Sequence, residues 1–397
     1  MNICLVSLPS PFLTDDKVFP NLGVLYLYTA LRSRGIEAYV YDGKVEEIPQ
    51  GFTHYGVSAT TPQFPLAIQA LAQIRVNNPE AKVIIGGPHA TVDPGSCLEV
   101  RFDSVVRGYG EEALPLVMSS GAGGHGIVSV PYHPITIPNR SAINIHKYKY
   151  FIDGREATSV MTSRGCPFSC AFCCKSAGKV TLHPASLVIA ELKELMEVYG
   201  YEAFMFFDDI FVSNPKRLGR ILAYLTGKNV LWRGFVRADM LLALGDDVVH
   251  DMALSGCAEV GMGVESGSDK ILKIINKGED TETIKKAVRL LHRHDIRVKG
   301  FFIVGLPSES RDSVDDSAQL CFEAQFDDVD FTIYQPFKGS HIYENKERYD
   351  IGWVDSELKS LWYKGKRGEY YSNVWTSHLS RDEIVEARDY LERRFKK

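Results

Sequence analysis

Thr162-Ser163-Arg164-Gly165-Cys166-Pro167-Phe168-Ser169-Cys170-Ala171-Phe172-Cys173 carries three cysteines in a C-x3-C-x2-C spacing, on a loop opened by Gly165 and Pro167. Thiolates are the soft ligands of iron–sulfur clusters, and a four-iron cluster takes four ligands. Three cysteines without a fourth leave one iron open to a small molecule. Zinc would want a fourth Cys or His at a regular spacing. Cys174 directly follows Cys173, an arrangement poorly suited to one tetrahedral ion. A disulfide framework does not suit 397 residues with eight cysteines this unevenly spread. Zinc and buried thiols stand as the alternatives to an open cluster.

Outward from this loop, short apolar runs alternate with amphipathic ones. Thr158–Thr162 reads as the strand that feeds it. Further strands are expected at Ala203–Phe207, Leu231–Val236, Glu259–Val264, Val298–Val304 and Phe331–Tyr334. Helical periodicity covers Ser186–Tyr199, Pro215–Leu225, Asp247–Ser255, Thr281–His294 and Ser313–Ala324. A parallel barrel builds its site from the loops at the carboxyl ends of its strands. Those ends read Phe207-Asp208-Asp209-Ile210, Val236-Arg237-Ala238-Asp239, Gly261-Met262-Gly263-Val264-Glu265-Ser266-Gly267-Ser268 and Gly300 through Gly305-Leu306-Pro307-Ser308-Glu309.

Residues 1 to 118 show a second alternation. Strands are expected at Ile3–Leu8, Ala38–Tyr41, Tyr55–Ser58, Val83–Ile85 and Ser104–Val106, with helices over Leu22–Arg34 and Pro65–Asn77. This pattern is that of a doubly wound, Rossmann-like parallel sheet, whose ligands lie beyond the strand ends. Glycine, serine and histidine gather in those loops: Leu22-Gly23, Ser58-Ala59-Thr60, Gly86-Gly87-Pro88-His89 and Gly108-Tyr109-Gly110. Residues 119–152, opened by Ser119-Ser120-Gly121 and Pro-rich from Val130 to Asn139, read as a linker. Residues 153–345 are expected to form the partial barrel. Residues 346–397 form a short helical extension, with an aromatic stretch from Trp362 to Trp375 and a capping box at Ser380-Arg381-Asp382-Glu383. That extension would close the barrel mouth or pack on its outside.

The bulk numbers exclude several classes. Hydrophobic residues make up 45% and charged residues 24%, as in an ordinary globular protein. A net charge of −5 supplies no global field for nucleic acid or an anionic membrane. No apolar stretch is long enough to span a bilayer. Met1 to Pro9 reads as a first strand, with no leader pattern. Clustered and scattered cysteines together fit a reducing, cytoplasmic compartment.

The cysteine loop resembles that of the radical S-adenosylmethionine (SAM) enzymes, with Phe172 as the aromatic before the third cysteine. The six strand–helix units resemble their partial (β/α)6 barrel, and the resemblance covers roughly residues 1–340. It implies a [4Fe-4S] cluster on Cys166, Cys170 and Cys173 whose open iron chelates SAM. One electron then cleaves SAM to methionine and a 5′-deoxyadenosyl radical. It also implies SAM contacts from Phe172, Asp208, Asp209, Arg237 (to the carboxylate), Glu265 (to a ribose hydroxyl or the methionine nitrogen), Ser266 and Gly305. Glu309 would begin the following helix, where negative charge is favoured.

The four amino-terminal loops resemble the cobalamin-binding domain fused to one large branch of these enzymes. The resemblance implies corrin contacts from Leu22, Gly23, Ser58, Thr60, Gly86, Gly87, His89, Gly108 and Gly110. Small residues there would let a flat ring approach the backbone. The Asp-x-His-x-x-Gly signature that supplies a histidine to cobalt is absent, so the lower cobalt face is expected without one. The activity implied is methylation of an unactivated carbon, or of phosphorus, on a small natural-product or tetrapyrrole-type substrate. Cyclisation or rearrangement without methyl transfer is the alternative, and a non-catalytic cobalamin sensor or carrier a more distant one. An electron donor such as flavodoxin or ferredoxin is implied, and the chain is expected to be a monomer.

Overall fold

The computed structural model describes residues 1–396 except 12, 14, 120–125, 131–135, 175–179 and 355–369. The Pro-rich run and the Trp362-Tyr363-Lys364 aromatics therefore lie partly or wholly outside the described residues. Two compact units emerge: Met1–Tyr150 with Lys175–Thr181, and Phe151–Cys174 with Leu182–Lys397.

The first unit is a six-stranded parallel sheet in the order β2-β1-β3-β4-β5-β6. Its strands are β1 (Asn2–Ser7), β2 (Glu37–Tyr41), β3 (His54–Ser58), β4 (Lys82–Gly86), β5 (Ser104–Val106) and β6 (Gly126–Val128). Alternate side chains of β1 leave on opposite faces, as the pleat requires. Cys4 and Val6 join the core that holds Phe64 and Ile74 of helix α2 (Phe64–Asn77). Ile3 and Leu5 join the core that holds Val24 and Leu31 of α1 (Leu22–Arg32) and Leu114 of α3 (Gly110–Ser119). Both faces are covered, so the sheet is doubly wound. Strand order reverses between β1 and β3, which makes the crevice at their carboxyl ends the switch point where such sheets take ligands. The expected linker contributes β6 to this sheet, paired with β5. A three-residue strand after a glycine run is too short to show a period.

The second unit holds the expected six parallel strands in simple sequence order, within a seven-stranded sheet whose first edge is the short strand Tyr150–Ile152. They are β7 (Arg155–Val160), β8 (Ala203–Phe206), β9 (Leu231–Val236), β10 (Cys257–Glu265), β11 (Arg297–Val304) and β12 (Asp328–Ile333). The sheet curls into a half-barrel. Helices α4 (Ala185–Glu197), α5 (Pro215–Leu225), α6 (Asp246–Leu254), α7 (Thr281–His292) and α8 (Arg311–Ala324) connect them. Trp232, Val260, Val298 and Phe302 are sealed on one face of the sheet. Arg233, Phe235, Lys299 and Phe301 alternate with them and stay partly open on the other.

The carboxy-terminal extension belongs to this unit. Its helix α9 (Arg381–Phe395) begins at the expected capping box, with the Ser380 side chain accepting from the Glu383 N–H. It packs along β12, the last strand of the sheet. Buried Arg388 donates from Nε to the Phe331 carbonyl at 3.0 Å, and Lys396 reaches Asp330 at 2.8 Å. An uncovered strand edge invites pairing with other chains. The helix blunts that edge, while Val374 and Ile384 press against Gly305 at the end of β11.

Candidate active site

The cysteine loop leaves β7 and is fastened by the next strand end. Asp208 is 1% exposed, and the chain itself occupies both its carboxylate oxygens. Oδ1 accepts from the Thr162 N–H at 2.6 Å, and Oδ2 accepts from the Thr162 and Ser163 hydroxyls. Burial pushes its pKa up against those hydrogen bonds. Arg217 of α5 completes the brace by donating to the Thr162 and His183 carbonyls. Asp208 thus anchors the loop from beneath. Its neighbour Asp209 is exposed; its Oδ2 accepts from the Gly165 N–H at 2.8 Å, which puts a carboxylate at the start of the loop.

A second clamp comes from Ile275–Glu279, between β10 and α7, which sequence reasoning missed. Asn276 donates to the Ser169 carbonyl at 2.9 Å, and the Ala171 N–H donates to the Ile275 carbonyl at 2.7 Å. Lys277 is 4% exposed and lies between two carboxylates, 3.0 Å from Glu265 and 3.4 Å from Glu279. Glu279 also accepts from the Asp239 N–H at 2.9 Å and lies 3.6 Å from Arg237. Five buried or half-buried charges converge here, a costly arrangement unless each is paired. The signal available beforehand was Asn276-Lys277-Gly278-Glu279, a polar run too short for a helix, which follows the short helix Asp269–Ile274.

Glu265 sits where β10 and β11 slip register, with φ of +67°. A non-glycine residue in that region at a bulge marks strain that the surroundings must hold, as at many functional sites. Here Lys277 holds it, through Oε1. Ser266 is fully buried, and its hydroxyl accepts from the Ser268 N–H at 3.2 Å; it shapes the turn. Arg237 is likewise engaged by the chain. Its Nε and Nη2 fork onto Asp239 at 3.1 and 3.0 Å, and Nη2 reaches the Lys277 carbonyl at 2.8 Å. These bonds hold the guanidinium over the Phe168 ring at 3.7 Å. Phe172 is half-buried and Cys174 donates to the Lys338 carbonyl at 3.1 Å.

At the fifth strand end, Gly305 has φ of +89° and meets Val374 and Ile384 of the extension. Glu309 does not cap the next helix; Ser310 does, through a capping box with Ser313. The Glu309 carboxyl is 1% exposed and accepts from the Gly305 N–H, and burial raises its pKa to about 8.

The amino-terminal loops look different in detail. His89 is 1% exposed, with Nδ1 3.2 Å from the Thr61 hydroxyl and Nε2 3.0 Å from the Ser96 hydroxyl, and its ring lies 3.9 Å from that of Phe64. It is a buried histidine with a hydroxyl beside each ring nitrogen. Gly87, at φ of +91°, is needed by the chain itself, since a Cβ there would lie 2.9 Å from the Ala59 carbonyl and the Ser58 hydroxyl. A Cβ on Gly110 would lie 2.7 Å from Leu27, so this glycine lets α1 and α3 pack. Gly86 is under no such constraint, its Cβ finding only ordinary contacts at 3.7 Å. Gly108 donates to the Thr91 hydroxyl, Thr60 caps the turn to Gln63, and Leu22 is buried in α1 behind its Asn21 cap. Gly23 and Ser58 stay at the switch-point crevice, beside Ser7 and Asn21, which hydrogen-bond each other at 3.3 Å.

Among the described residues, no three His, Cys, Asp or Glu side chains are placed to hold a single metal ion. A four-iron cube takes one thiolate per iron, so its cysteines need not share one point. The doubly clamped loop with three unpaired thiols fits that larger group. The switch-point crevice, with unconstrained Gly86 beside it, fits a flat ring such as a corrin.

Comparison with known proteins agrees. Residues 160–321 match the radical SAM superfamily and residues 13–118 match the B12 binding domain. An uncharacterized methyltransferase of Pyrococcus horikoshii is 31% identical over 82% of this chain and 78% of its own. The bacteriochlorophyllide d C-12(1)-methyltransferase of Chlorobaculum tepidum is 26% identical over 81% of this chain and 72% of its own. The structure of the radical SAM methyltransferase TsrM from Kitasatospora setae, with cobalamin and [4Fe-4S] cluster bound, superposes with a TM-score of 0.78. It is 16% identical and covers 98% of this chain and 90% of that one. The chain belongs to the radical SAM superfamily, among the members that also carry a B12-binding domain. Its cofactors are a [4Fe-4S] cluster, SAM and cobalamin. No helix among the described residues is long and apolar enough to cross a membrane.

Proposed function

We propose that this enzyme methylates an unactivated carbon, or phosphorus, of a small-molecule substrate, with cobalamin as methyl carrier and SAM as source of both methyl group and radical. When bound, the cofactors supply the one-electron cleavage and the methyl relay, chemistry no side chain can perform. The chain's own residues hold, orient and shield. Cys166, Cys170 and Cys173 would ligate the cluster on a loop fastened by Asp208, Arg217 and Asn276. Asp209, exposed beside Gly165, suits the SAM ammonium. Glu265 would offer SAM Oε2, since Lys277 engages Oε1.

The observation that carries the reading is the convergence of Glu265, Lys277, Glu279 and Arg237 behind the cysteine loop. A merely structural cluster has no need of so many buried charges. An electron donor of the flavodoxin or ferredoxin kind would dock from outside, and the chain would act as a monomer in the cytoplasm.

The test is anaerobic turnover of reconstituted enzyme with candidate substrates, counting products. Methylation by this route requires S-adenosylhomocysteine and 5′-deoxyadenosine in equal amounts. 5′-Deoxyadenosine alone, with corrin bound and substrate consumed, would move the assignment to cyclisation or rearrangement. Neither product, with cluster and SAM bound, would leave a sensor or carrier.

A further inference from the structure

We propose that Arg237 sets the reduction potential of the cluster by donating a hydrogen bond to the Cys170 sulfur; this rests on the reading of Cys166, Cys170 and Cys173 as cluster ligands. Arg237 lies 3.7 Å from that sulfur through Nη1, within the range of a hydrogen bond to sulfur. Its side chain is 7% exposed, so little water competes for the donor. The direction of the fork is over-determined: Asp239 and the Lys277 carbonyl hold the other edge of the guanidinium, and Phe168 stacks beneath its plane. What remains to point outward is Nη1, toward Cys170.

Hydrogen bonds to cluster sulfurs are among the levers that tune iron–sulfur potentials. The reduced cluster carries one more negative charge than the oxidised one. A buried donor with a full positive charge stabilises the reduced form more, and so raises the potential. In a site from which water is largely excluded, the effect is stronger than at a surface. Asp239 works against it, because its carboxylate forks onto the same guanidinium and withdraws part of that field. Arg237 is therefore a positioning residue for the electron. Its Nη1 faces Cys170, while Asp239 and the Lys277 carbonyl take the rest of the fork.

The signed pair Arg237→Gln and Asp239→Asn tests this, with Arg237→Lys as the conservative variant. Each holoenzyme is reconstituted anaerobically, its iron and sulfide are counted, and its cluster is titrated by EPR against a series of poised potentials. SAM affinity is measured separately on the oxidised cluster. Arg237→Gln should keep its iron yet show about a tenfold lower ratio of reduced to oxidised cluster at fixed poise, which is ~59 mV for one electron. Arg237→Lys should recover part of that loss, and Asp239→Asn should shift the potential the other way. An unchanged potential with weakened SAM binding would overturn the proposal and return Arg237 to the SAM carboxylate. Iron lost equally from the Gln and Lys variants would also overturn it, in favour of a role in holding the loop. Wild-type protein without iron would refute the ligand assignment instead, a failure that iron analysis separates from this one.

Discussion

The strand-end loops of the two units are equally rich in glycine, yet they are built on different physics. In the first unit, the special residues satisfy one another. Gly87 lets β3 and β4 loops meet, Gly110 lets two helices meet, and His89 is spent on two hydroxyls. In the second unit, charges are buried against the loop that carries the cysteines, and one residue, Glu265, is held in a strained conformation. Glycine marks close approach, whether of ligand or of chain. Buried, paired charge beside an open loop is the more specific sign of chemistry.

The comparison can be broken most forcefully at the cysteines. Replacing Cys166, Cys170 and Cys173 together by Ala should abolish bound iron and SAM cleavage. Cys174→Ala, which loses only a bond to the Lys338 carbonyl, should retain the iron. Equal loss in both would sink the ligand assignment.

Lys277→Met tests whether the charges of the second unit are coupled. It leaves Glu265 buried without its cation and Glu279 with Arg237 alone, at a cost of about 3–5 kcal/mol. Denaturant unfolding of the apoprotein measures this. A loss under 1 kcal/mol, on the order of an exposed pair, would mean the site is wetter than its burial suggests.

In the first unit the sharpest test is a pair of adjacent glycines. Gly87→Ala forces a Cβ into the Ala59 carbonyl at a positive φ, and should cost about 1–3 kcal/mol. Gly86→Ala should stay within about 0.5 kcal/mol. If the two behave alike, the close approach of the loops is not what Gly87 serves. The same contrast governs cobalamin. Gly86→Ala should retain folded protein, so any loss of corrin there reports on the ligand. The cob(II)alamin EPR spectrum should lack splitting from a histidine nitrogen.

A further effect is a pH dependence. The Glu309 pKa is raised from 4.5 to about 8 in the folded protein. The native state therefore holds a proton that the unfolded chain has released, and stability falls as pH rises from near the unfolded value through 8. Glu309→Gln should flatten that part of the stability profile, with the largest gain at the alkaline end. An unchanged slope would mean Glu309 is ionised when folded.

Much of this was legible in the residues. All six barrel strands lie within a few residues of their expected places, because alternation of apolar runs with amphipathic helices is a local property. Gly126–Val128 escaped because three residues carry no period. Lys277 and Glu279 escaped because a polar tetrapeptide between two elements resembles any surface turn. Asp208 and Arg237 were found as residues but their partners within the chain were not, since a motif reports that a carboxylate or guanidinium is needed without saying which way it faces.

What the sequence by itself determined is the order of elements, the cysteine spacing and the family, because these depend on neighbours along the chain and on residue type. What only the tertiary structure decided is partnership. Asp208 meets Thr162 across 46 positions and Arg237 meets Cys170 across 67. Whether a charge faces a ligand or the chain itself depends on which distant groups already claim its hydrogen bonds, and that is settled only when the strand ends come together.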